Sequence, residues 1–162
     1  PEGDGKEERL PVYYVDGSVV PSPGGIVGYG WTCPKTNESG NGIAYQGGES
    51  ATNNASEWLA AAAALAHVLC VHKTTGTVTI RSDSELLVNQ LNGEWRVKHG
   101  NLKPLAAVVN IMIEELQGIG IDVIAEWVPR EQNKVADELS HRTIKQQLKE
   151  RRQMTQRETT DG

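Results

Sequence analysis

The chain has 162 residues, 38% of them hydrophobic and 23% charged, a balance that fits one globular domain with a single core. A net charge of −5 weighs against holding nucleic acid by bulk basicity, because phosphate affinity comes from Lys and Arg releasing counterions. No apolar run approaches the ~20 residues of a membrane span, and no basic segment followed by an apolar one opens the chain, so neither a membrane helix nor a signal peptide is expected.

Residues 1–10, PEGDGKEERL, read as a disordered lead. Residues 11–16, PVYYVD, are β-branched and aromatic and predict a strand that ends in an acid. Turn chemistry follows in GSVVPSPGG, then a second strand over 26–33, a turn at TNESGN, and a third strand near 42–48. Their short links predict an antiparallel meander. Thr52 and Asn53 suit a helix N-cap before the Ala-rich ASEWLAAAAALAHVLCVH, in which Leu59, Ala62, Ala63, Ala66, Leu69 and Cys70 share one face. A fourth strand, TVTIRS, covers 77–82, and a short helix over 85–91 stops at Asn92-Gly93. Pro104 opens a helix over 104–117 that Gly118 closes; IDVIAEWV is a fifth strand, and the chain is helical from Asn133. Because the last two strands are each reached through helices, they are expected to run parallel. The predicted fold is α/β, one five-stranded mixed sheet flanked by helices. Residues 11–143 form the domain, and 144–162 are a charged tail that either extends the last helix or stays disordered. Cys33 and Cys70 read as reduced, mostly buried thiols, and a cytoplasmic monomer is the default expectation.

Four acids stand out. Asp16 ends the first strand and Asp83 ends the fourth, while Glu57 and Asp137 lie in the first turns of two helices. Singly, each has an ordinary explanation as a turn, cap or helix-dipole residue. Jointly, strand-end acids project at the carboxyl edge of a sheet, and neighbouring central strands bring Asp16 and Asp83 side by side. Carboxylates gathered there repel one another unless a counterion is present, and Mg²⁺ or Mn²⁺ fits an all-oxygen donor set. Two such ions suit hydrolysis of a phosphodiester.

The segments YVDGS (14–18), TNNASEW (52–58), RSDSELL (81–87) and WVPREQNKVADELS (127–140) resemble, in order and spacing, the signatures of type 1 ribonuclease H. The resemblance covers roughly residues 11 to 143 and implies an endonuclease that cuts the RNA strand of RNA/DNA hybrids, leaving 5′-phosphate and 3′-hydroxyl ends. By it, Asp16, Glu57, Asp83 and Asp137 correspond to the family's catalytic, metal-holding tetrad, with two Mg²⁺ ions and Mn²⁺ as a possible substitute. Asn53 and Asn54 match a pair that reads the hybrid's minor groove, and Thr52 matches a threonine that holds a DNA phosphate. Trp95 lies near a tryptophan of the DNA-strand channel, with a core role as the alternative. Glu85 stands where many relatives carry Gln.

Two departures qualify the likeness. The loop before Asp137 reads VPREQN, so the His found there in many members is missing and Arg130 either touches the scissile phosphate or braces the loop. His67, His72, His99 and His141 lie outside that loop, and His141, the nearest, is expected to be solvated or capping. The connection GEWRVKHGNLKP also lacks the basic protrusion, which predicts weak, salt-sensitive binding unless Lys145, Lys149, Arg151 and Arg152 help. A binding module of the same fold would be expected to lose some of the acids. A retroviral or element-encoded origin stays open, since the chain opens on Pro1.

Overall fold

The computed structural model describes residues 9–72 and 74–162, so most of the segment read as a disordered lead lies outside the described residues. Chain order is β1 (Arg9–Val20), β2 (Ile26–Cys33), β3 (Glu38–Gln46), α1 (Asn53–Val71), β4 (Gly76–Ser82), α2 (Glu85–Leu91), α3 (Lys103–Gly118), β5 (Ile121–Trp127) and α4 (Lys134–Thr160). The five strands form one sheet in the order β3-β2-β1-β4-β5. β1–β2 and β2–β3 are antiparallel, and β1–β4 and β4–β5 are parallel, as the link lengths require. On one face α1 and α3 close over a core that includes Tyr13, Val15, Trp58, Leu65, Val78 and Ile80, while α4 crosses the other face.

Several expectations need correction. GSVV is not a turn: β1 continues to Val20, paired with Ile26, and Ser18 and Val19 are buried. The turn is confined to residues 21–25. β3 begins at Glu38, because the polar ESGN can pair as backbone on an edge strand without apolar side chains. β1 starts at Arg9 and Leu10 is buried, so ordered structure reaches into the segment read as a lead.

The buried face of α1 is also different. Ala55, Ser56, Trp58, Ala60, Ala61, Ala64, Leu65 and Val68 are buried, whereas Leu59, Ala62, Ala63, Ala66 and Leu69 are only half-buried and Cys70 is exposed. An Ala-rich helix is apolar all round, so periodicity cannot choose its face; the sheet on one side and α3 on the other do. For the same reason α1 is long and apolar enough to cross a membrane by composition, against the expectation of no such run, although it packs within the fold. For residues 144–162, read as either an extension of the last helix or a disordered tail, the structure takes the helical alternative: α4 runs unbroken to Thr160. Ile144 is buried, and Arg151 Nη2 donates to Gln46 Oε1 at 2.8 Å.

Two glycines of β2 set how closely α4 approaches. A Cβ on Gly30 would stand 2.6 Å from Ala136 O and Ser140 N, and one on Gly28 would collide with Ser140 O. The contact is sealed where Ser18 Oγ donates to Ser140 O at 2.8 Å. Gly30→Ala is therefore expected to destabilise the fold by about 1–3 kcal/mol through overpacking. Urea denaturation measures this, and a loss near zero would show that α4 does not rest on β2 this closely.

Candidate metal and substrate site

Parallel pairing matches Tyr13 with Ile80 and Tyr14 with Arg81, so Asp16 on β1 stands level with Asp83 just past β4. Asp83 does not cap α2: Ser84 does, its Oγ accepting from Leu87 N at 3.2 Å, which leaves the Asp83 carboxylate free of that duty. Glu57 comes from the first turns of α1. It reaches Asp16 because Gly17 has no side chain; a Cβ there would collide with the Ser56 backbone. One carboxylate oxygen from each of Asp16, Glu57 and Asp83 lies within 4.8 Å of the others. Asp137, in the first turn of α4, stands outside that trio but close enough to Asp16 for its charge and a carboxyl hydrogen bond to act on it.

The electrostatics are unfavourable by construction. Asp16 is 5% exposed. Burial, the charge of Asp83 and then Asp137 push its carboxyl from 3.8 up to about 8. Burial, followed by the charge of Asp16, raises Glu57 well above the usual carboxylate range. Glu57 Oε2 is enclosed with no hydrogen-bond partner among the described residues. No Lys or Arg among the described residues pairs with any of the four acids; Asp137 has only His141 Nε2, at 3.5 Å. A group of buried and half-buried acids without Lys or Arg partners, one with an orphaned oxygen, fits a hard divalent cation.

Sequence reasoning missed the residue that holds Asp83. Asn133 is 1% exposed, and its Nδ2 donates to Val15 O at 2.9 Å and to Asp83 Oδ1 at 3.2 Å. One amide thus ties β1, the end of β4 and the start of α4 together beside the acids. Its only sequence signal was a position one turn before Asp137, which suggests a helix cap; yet its side chain makes no cap hydrogen bond. His141, expected to be solvated or capping, is partly exposed on α4 and faces Asp137 one turn before it.

The remaining candidates lie around this cluster. Thr52, rather than Asn53, caps α1, its Oγ1 accepting from Ala55 N at 3.2 Å. The side chain of Asn53 is exposed and that of Asn54 half-exposed. Trp95 is not a core residue: it is 46% exposed and lines a cleft of about 460 Å³ with Gln90, Arg96, Lys98 and His99. Arg130 is exposed on the one-turn 3₁₀ helix Arg130–Gln132 that leads into α4.

A family model described as reverse transcriptase-like matches residues 15–143, more than half of the chain. The bifunctional protein Rv2228c of Mycobacterium tuberculosis is 34% identical over 91 residues, 56% of this chain but 23% of that protein, so the match spans under a quarter of the curated relative. Among solved structures, LC11-RNase H1 in complex with an RNA/DNA hybrid matches with a TM-score of 0.75 at 27% identity, over 86% of this chain and 99% of that one. That protein was isolated from compost by a metagenomic approach. RNase H1 of the archaeon Halobacterium salinarum matches with a TM-score of 0.70 at 24% identity, over 84% and 98% of the two chains, a likeness of fold.

A carboxyl whose pKa is higher in the fold than in the unfolded chain contributes stability that is lost as pH rises. For Asp16 the window runs from about 4 to about 8. Asp16→Asn cannot ionise, so in EDTA its melting temperature is expected to gain on the wild type steadily across that window. A difference independent of pH would refute the buried, repelling Asp16.

Proposed function

The chain belongs to the reverse transcriptase-like family, and from that premise we propose that it is a ribonuclease H, hydrolysing the RNA strand of RNA/DNA hybrids with divalent metal ions. The observation that carries this reading is the uncompensated group of Asp16, Glu57 and Asp83, with Asp137 beside it, gathered where β1 passes the carboxyl end of its parallel neighbour β4. The hybrid bound to LC11-RNase H1 supports the choice of substrate.

Asp16, Glu57, Asp83 and Asp137 would hold Mg²⁺, with Mn²⁺ a substitute. Two such ions supply a nucleophilic water and neutralise charge on the departing oxygen. The protein's own part is to keep the donors in place before substrate arrives. Asn133 fixes one oxygen of Asp83, Gly17 admits Glu57, and burial keeps competing water from Asp16. The new oxygen bonds to phosphorus as the bond to the 3′ oxygen breaks, which leaves 5′-phosphate and 3′-hydroxyl ends.

Selectivity for RNA falls to α1. The amides of Asn53 and Asn54 stand at its start, free to donate to and accept from 2′-hydroxyls in the minor groove. The Thr52 hydroxyl accepts from Ala55 N, which leaves its O–H to donate to a phosphate of the DNA strand. Trp95, with Arg96 and Lys98 beside it, lines the cleft for that strand, and Arg130, exposed on the turn that leads to Asp137, either touches the scissile phosphate or braces the loop. These few cations, without a basic protrusion, make binding weak and strongly salt-dependent.

The reading is tested by incubating an end-labelled RNA/DNA hybrid with Mg²⁺, Mn²⁺ or EDTA, beside single-stranded RNA, RNA/RNA and DNA/DNA. Metal-dependent cutting confined to the RNA of the hybrid is expected, and absence of cutting with either metal would overturn it. Asp83→Asn removes a ligand at nearly constant volume. It is expected to abolish cleavage with the circular dichroism spectrum unchanged, and near-wild-type turnover would remove Asp83 from the site.

A further inference from the structure

Trp127 closes β5 and pairs with Ser82, the residue before Asp83. Its indole Nε1–H donates to the backbone carbonyl of Asp83 at 3.2 Å, which pins the ring at the rim of the acid cluster. The ring is nevertheless 55% exposed, whereas Trp31 and Trp58 are 6% and 2% exposed in the core. Packing therefore does not account for a tryptophan at this position. With the only polar atom engaged internally, the free surface is a rigid, apolar, electron-rich face. Three residues on, Arg130 is exposed and has no acidic partner among the described residues.

An aromatic face and a cation on one short connection, beside metal-binding acids, suit a nucleic-acid strand. In a duplex the bases are stacked on one another, so a ring at the rim meets sugar rather than base. We propose that the free face of Trp127 packs on a ribose of the RNA strand next to the phosphate held over Asp83, making Trp127 a substrate contact that helps set which phosphate lies at the acids. The proposal rests on the ribonuclease H reading.

Two substitutions separate this role from mere support of Asp83. Trp127→Phe keeps a flat ring and loses the N–H, whereas Trp127→Gln keeps a donor and loses the ring. If the ring contacts ribose, Trp127→Gln raises KM for the hybrid about tenfold, the scale of roughly 55 Å² of apolar contact kept from water, while Trp127→Phe stays within about threefold. If the N–H merely positions Asp83, Trp127→Phe instead lowers kcat and Trp127→Gln is spared, and the proposal fails.

Fluorescence supplies a readout independent of turnover. In Trp95→Phe, Trp127 is the one strongly exposed tryptophan, so hybrid added in EDTA at low salt should change the emission. The change should vanish in Trp95→Phe/Trp127→Phe. Fluorescence anisotropy of a labelled hybrid reports binding in parallel. Binding without any emission change overturns the Trp127 contact alone, and failure of the wild-type protein to bind the hybrid overturns the ribonuclease H reading on which it stands.

Discussion

Mutual repulsion among Asp16, Glu57 and Asp83 is the constraint around which this structure is arranged. Like charges this close, together with burial, raise the proton affinity of Asp16 and Glu57, and a fold left free to relax would let the acids separate. Separation is prevented by backbone. Asp16 and Asp83 are set by the parallel register of β1 and β4, and Glu57 is brought in by a helix seated on a glycine. Asn133 cross-links the whole from α4.

The rest of the architecture supplies the stability to hold that arrangement. α1 is buried by the sheet and α3, and its depth permits a glutamate carboxylate to be enclosed at its start. α4 crosses the opposite face closely enough that Gly28 and Gly30 tolerate no side chain, which brings Asp137 to the same edge. One edge of the sheet thus receives acids from two strands and two helices. A divalent cation turns the strain of that edge into affinity, because it binds the ionised form that the empty fold disfavours.

The order of strands and helices was legible because link lengths and turn residues report local chemistry, and the pairing of β1 with β4 follows from the helical crossover between them. That order also placed the four acids. What escaped depended on which surface met which. The face of α1 was ambiguous in a helix apolar on all sides, and Ser18 to Val20 resembled a turn until their pairing with β2 was seen. Asn133 marked only the start of the last helix, since nothing local marks a side chain that reaches across to Val15 and Asp83. Trp127 passed as one more strand residue, and Trp95 left open a core role that its exposure removes. In each case a tertiary neighbour, invisible to spacing, decided the role.

The most direct test of the account is calorimetric titration of Mn²⁺ into the metal-free protein near pH 6.5, in buffers of differing ionisation enthalpy. If Asp16 and Glu57 are held together and partly protonated until a cation arrives, binding should release about one proton or more per protein, and Asp16→Asn should abolish or greatly weaken it. Tight binding with no proton release, or binding unaffected by Asp16→Asn, would contradict the claim that this repelling cluster is the metal site.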